Sequence, residues 1–125
     1  MANGTIAFDT LQTSGQISGT AKSVDTDYVV NGSAKAWSLT ASDASLDDSF
    51  NFGSGTDNGT GDYTVAFSSN MSNATYAVPA TMAEDASVFT INKARATSSV
   101  RMFNVRHDNV SSDKKQCYAV HGDLA

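Results

Sequence analysis

The stretch that most constrains the fold is Asp57-Asn58-Gly59-Thr60-Gly61-Asp62-Tyr63-Thr64-Val65-Ala66-Phe67. Its first half is written in residues that tolerate positive φ: two glycines, an Asn-Gly pair and an Asp at each end. Its second half alternates strictly, with Tyr63, Val65 and Phe67 on one side and Thr64 and Ala66 on the other. Upstream, Phe50-Asn51-Phe52 alternates in the same manner. Two strands therefore approach one turn, each offering aromatic side chains on one face. This is the signature of a β-hairpin.

The remaining chain extends the pattern. Ser, Thr, Asn and Asp fill 51 of the 125 positions, against four Leu and one Glu. Those four polar types compete with a helix for its backbone hydrogen bonds and favour turns. Charged residues are 17%, and six Phe, four Tyr and one Trp are spread along the chain, a composition for folding rather than disorder. Strands are expected at Tyr28–Val30, Ala34–Leu39, Phe50–Phe52, Tyr63–Ser68, Tyr76–Val78, Val88–Ile91, Val100–His107 and Cys117–His121. Turns recur every 8–12 residues or so. The fold class read from this spacing is all-β, an antiparallel β-sandwich of seven to eight short strands with an extended N-terminal arm. The domains expected are an arm over residues 1–27, for attachment or oligomerisation, and a sandwich over 28–125. The core is expected to contain Trp37, Phe50, Phe52, Tyr63, Val65 and Phe67. Ala34 and Ala36 lie opposite Lys35, Trp37 and Leu39, which implies close approach of another sheet or chain on the alanine side.

A net charge of −5 argues against nucleic acid as a partner, because phosphate binding needs a basic stripe. No apolar run reaches the length of a membrane span. The start, Met1 to Thr5, lacks the basic and apolar regions of a secretory signal, so none is expected. One cysteine, Cys117, excludes an intrachain disulfide and a CxxC zinc site. It lies in a strand and reads as a small buried hydrophobe.

Candidate chemistry is sparse. His107 is followed by Asp108, and His121 by Asp123 two residues on; in a Ser-rich chain such neighbours arise freely, and no catalytic residue is assigned. A metal held by the two histidines at a subunit junction is the sharper alternative, and no metal or cofactor is assigned either. The 57–62 turn has oxygen donors at calcium-like spacing but lacks the full loop pattern, so it reads as a plain turn. Asp47 and Asp48 show no partner across a cleft for acid–base work. Arg95, Arg101 and Arg106 read as solvated or paired surface charge. The six Asn-x-Ser/Thr sequons, at Asn3, Asn31, Asn58, Asn70, Asn73 and Asn109, mean little without a signal peptide.

A resemblance adds what these residues alone do not. Asn31-Gly32-Ser33-Ala34-Lys35-Ala36-Trp37, Asp48-Ser49-Phe50-Asn51 and Thr56-Asp57-Asn58-Gly59-Thr60-Gly61-Asp62-Tyr63-Thr64-Val65 resemble the recurrent module of tailed-phage fibre proteins, including those of marine phages. Met71–Tyr76, Ser98–Arg101 and Ala119–Asp123 are similar to its remaining strands. Gly4–Gln12 resembles the segment that often precedes it. The stretch after Trp37 departs: Ser38–Asp43 stands where an apolar strand and a Gly-Thr turn are usual. The resemblance implies a non-enzymatic virion surface protein, either a fibre tip or a capsid knob or decoration protein. It implies other virion proteins as partners through the arm, a host-surface glycan or protein as receptor, and a homotrimer. A glycan-binding accessory module and a small hydrolase-like domain are the alternatives. The first requires a platform of exposed aromatics, the second a pocket joining His107 or His121 to a carboxylate.

Overall fold

The computed structural model describes residues 10–13, 22–85 and 87–125. The chain divides into two units, residues 1–33 and 34–125.

In the first unit β1 (Thr10–Thr13) pairs antiparallel with β2 (Lys22–Asp25), and α1 (Thr26–Gly32) follows. Tyr28-Val29-Val30, expected as a strand, lies inside α1. The β-branched valines favour a strand by type, but the chain is helical there. Asp25 precedes the helix, Asn31-Gly32 ends it, and Ser33 N closes the last turn on Val29 O at 3.2 Å. The reading of residues 1–27 as an arm falls largely outside the described residues.

The second unit is an antiparallel β-sandwich. Its strands are β3 (Ala36–Thr40), β4 (Leu46–Phe50), β5 (Phe52–Asp57), β6 (Asp62–Phe67), β7 (Ala80–Met82), β8 (Val88–Ala96), β9 (Ser99–Arg106) and β10 (Gln116–Val120). The first sheet has the order β4-β3-β10-β7 and the second β5-β6-β9-β8. The β4–β5 corner and the β7–β8 connection carry the chain between the sheets at their two edges. The expected class therefore holds, with differences in extent. β8 continues through residues read as a connection. Tyr76–Val78 contributes only the bridge Ala77↔His121 before β7 begins.

The hairpin forms across the expected turn, with Phe52 but not Phe50 on its upstream strand. Asn58 N donates to Asp62 O and Asp62 N to Gly59 O, both at 2.8 Å. Gly59 and Gly61 have φ of 124° and 70°, and a Cβ on Gly61 would lie 2.5 Å from Asn104 O.

Between the sheets lie Ala36, Phe52, Val65, Phe67, Met71, Tyr76, Val100, Met102, Tyr118 and Val120. Phe52 stacks on Phe67 at 4.9 Å between ring centroids and meets Tyr118 edge-on at 5.6 Å; Phe67 meets Tyr76 edge-on at 5.7 Å. Tyr63 is fully buried as well. Ser38, Thr40 and Tyr118 form a buried chain of hydroxyls, each link 2.9 Å. Burial pushes the Tyr118 phenol up to about 12, against the opposing hydrogen bonds from Thr40 and Ser38.

Two of the six expected core residues are corrected. Trp37 is 41% and Phe50 54% exposed. On β3 the inward row is Ala36, Ser38 and Thr40, so small side chains face the second sheet and the large ones face outward. Phe50 and Phe52 do not share a face because Asn51 between them has φ 57°. That left-handed residue turns the chain from the first sheet into the second, so strict alternation ends there. The Asn51 amide clamps the corner: Nδ2 donates to Lys35 O and Ser69 O, both at 3.1 Å, and Oδ1 accepts from Ser69 N at 2.7 Å.

Candidate functional site

The outer face of the first sheet carries the candidate site. Antiparallel register places Phe50 beside Trp37 and Trp37 beside Ala119; one step along, Asp48, Leu39, Cys117 and Thr81 follow each other across the four strands. Trp37, Leu39, Pro79, Thr81, Cys117 and Ala119 bound a shallow groove of about 590 Å³. The floor is low because β10 offers only Cys117 and Ala119 outward. Trp37 and Phe50 rise beside it as a cross-strand aromatic pair on β3 and β4. The Asp48 carboxylate, which accepts from Ser49 N at 2.9 Å, borders the same face. Such a surface can stack the apolar face of a flat ligand or a sugar ring on indole and benzyl groups, with a carboxylate at its margin for hydrogen bonding. Cys117, expected to be buried, is half-exposed in this floor.

The outer face of the second sheet combines an ion group with the exposed side chains of Phe89 and Ile91, in register with Val105 and Phe103. Arg101 Nε and Nη2 donate to Asp62 Oδ1 and Oδ2 at 2.7 and 2.8 Å, and Lys93 Nζ donates to Asp62 Oδ2 at 2.5 Å. Lys93 also lies 4.7 Å over the Phe103 ring. The Arg101 hydrogen bond, with help from Lys93, holds the Asp62 carboxyl below its ordinary value even though burial opposes it. Asp62 therefore turns toward two cations rather than into the 57–61 loop, and Asp57 Oδ1 is taken by Gly59 N at 2.8 Å. The turn is held by its own hydrogen bonds.

The remaining sequence candidates do not converge. His121 pairs with Ala77 at one end of β10. His107 N donates to Ser87 O at 3.3 Å, next to the β7–β8 connection, where Ala83 N reaches Lys115 O just before the other end of β10. The two histidines are thus at opposite ends of the sandwich. The Asp108 carboxylate serves its own turn, accepting from Val110 N and lying 3.7 Å from Arg106. Asp47 pairs with Lys115 at 2.7 Å, and Arg95 donates to Tyr76 O at 2.8 Å. No group of three His, Cys, Asp or Glu side chains among the described residues is placed to hold a metal ion. No helix among them is long and apolar enough to cross a membrane.

Sequence reasoning placed Trp37 and Phe50 in the core and so missed the platform. The signal was present in β3: alternation of Ala36, Ser38 and Thr40 with Trp37 and Leu39 gives one small-residue face, and a close second sheet requires the small face inside. No family model, no curated protein and no solved structure matches the chain.

Proposed function

We propose that the chain is a non-enzymatic surface protein of a tailed-phage virion, a fibre tip or capsid knob, and that it contacts the host surface through the outer face of its first sheet. The virion setting rests on the motif resemblance of residues 31–37, 48–51 and 56–65. The observation that carries attachment is the exposed aromatic pair Trp37 and Phe50 beside a shallow apolar groove. Exposed large apolar groups grouped on one face mark interaction sites, whereas scattered ones do not. In this reading the N-terminal residues 1–27 hold the protein to other virion proteins, the assembly is a homotrimer, and the ligand is a host glycan stacked on Trp37.

Two experiments test it. Antibody labelling of intact virions in electron microscopy should decorate the tail in small multiples of a trimer, or the capsid in many copies. Virions without label overturn the reading. A glycan array with the purified protein should give hits that Trp37→Ala and Phe50→Ala abolish. Hits that survive both substitutions move attachment away from this face.

A further inference from the structure

We propose that Asn58 is a self-modification site, where the backbone nitrogen of Gly59 displaces the side-chain amide of Asn58, and that the Thr64 hydroxyl is the latch that slows it. The dipeptide sits at the exposed tip of the β5–β6 hairpin. Residues 57–60 are exposed, and a Cβ built on Gly59 would meet nothing within 4 Å, so nothing packs against this part of the turn. Its N–H already donates to the Asp57 carboxylate at 2.8 Å, which gives the departing proton an acceptor. The leaving group is held instead: Asn58 Nδ2 donates to Thr64 Oγ1 across the hairpin at 2.8 Å. Attack requires the Asn58 side chain to leave Thr64 and bring its Cγ to the Gly59 nitrogen.

The step balances with water as the only co-reactant. The Gly59 nitrogen loses its proton and bonds to Asn58 Cγ. The Cγ–Nδ2 bond breaks, and ammonia leaves with a proton. Water then opens the five-membered imide at either carbonyl, giving aspartate or isoaspartate. Each adds one negative charge beside Asp57. Isoaspartate also inserts a carbon into the main chain where Asn58 N meets Asp62 O. It therefore disturbs the turn that delivers Asp62 to Arg101 and Lys93.

The test follows the full-length protein over time at mildly alkaline pH, by peptide mapping with fragmentation that separates aspartate from isoaspartate. Asn31-Gly32, inside α1, is the internal comparison. The expected result is conversion at Asn58 that Thr64→Val speeds about five-fold, as loss of one hydrogen bond would, while Thr64→Ser keeps the wild-type rate and Asn31 is unaffected. A second measurement needs no variant: the wild-type chain unfolded in urea should convert at Asn58 faster than the native one. Conversion at Asn58 that is absent, or equal in wild type and Thr64→Val, or no faster in the unfolded chain, overturns the proposal.

Discussion

Arg101 and Asp62 meet side by side on β9 and β6, two nitrogens on two oxygens at 2.7 and 2.8 Å, with the carboxylate almost enclosed and the guanidinium half in solvent. The pairing fixes the turn end of β6 to β9 in the second sheet. Fork-on-fork geometry of this kind is stronger than an ordinary surface pair, although exposure of Arg101 and Lys93 screens it.

This arrangement has a consequence in acid. Asp62 is held below its ordinary value of 3.8, so its contribution is fully present above that pH and is lost as pH falls through the lowered value. Asp62→Asn should cost about 1–2 kcal/mol at neutral pH and should remove part of the acid-induced loss of stability. Urea unfolding followed at neutral and at acid pH measures both. Equal acid sensitivity in wild type and variant would show that other carboxylates govern the transition.

At alkaline pH the sign reverses. Tyr118, buried between the sheets, is pushed from 10.0 to about 12, and burial also raises Tyr63 and Tyr76. The neutral phenol is favoured by the fold, so that stability is complete below pH 10 and is lost as pH rises toward 12. Tyrosinate absorbance should appear together with loss of sheet signal in circular dichroism. Tyr118→Phe, which also frees the Thr40 hydroxyl from its partner, should shift the alkaline transition upward while lowering stability at neutral pH by about 1 kcal/mol.

The Asn51 corner makes a separate prediction. Asn51→Ala keeps neither ease in the left-handed region nor the clamp on Lys35 and Ser69, and should cost about 2–4 kcal/mol. Asn51→Gly restores the backbone freedom and not the hydrogen bonds, so its cost should fall between wild type and Asn51→Ala. Denaturant midpoints order the three. A glycine variant as unstable as the alanine one would mean that the conformation itself contributes nothing.

The same corner explains how much could be read in advance. The 57–67 stretch was legible because turn chemistry and alternation agreed there, and Phe52, Tyr63, Val65 and Phe67 fell inside as expected. Val29 and Val30 favoured a strand by type, yet they lie in a helical turn that ends at Asn31-Gly32, where Ser33 N donates to Val29 O. Trp37 and Phe50 were misplaced because period-two patterning says which residues share a face and not which face is inside. The site depended on that choice and was lost with it. The Asp62 ion group was hidden for another reason: its members come from three strands whose neighbours only the sheet order supplies.

That choice of face yields the last prediction. Trp37 and Phe50 are outward and partly exposed, so truncating either removes less buried surface than truncating a ring between the sheets. Trp37→Ala and Phe50→Ala should each cost about 1–2 kcal/mol. Phe52→Ala, two residues along from Phe50, removes a ring stacked on Phe67 and edged against Tyr118, and should cost about 3–5 kcal/mol. Urea unfolding of the three variants gives the comparison. A large loss for Trp37→Ala would return the indole to the structural core and leave the outer face without its platform. A small loss leaves both aromatics on the surface without a structural duty, which is where a ligand-binding pair has to be.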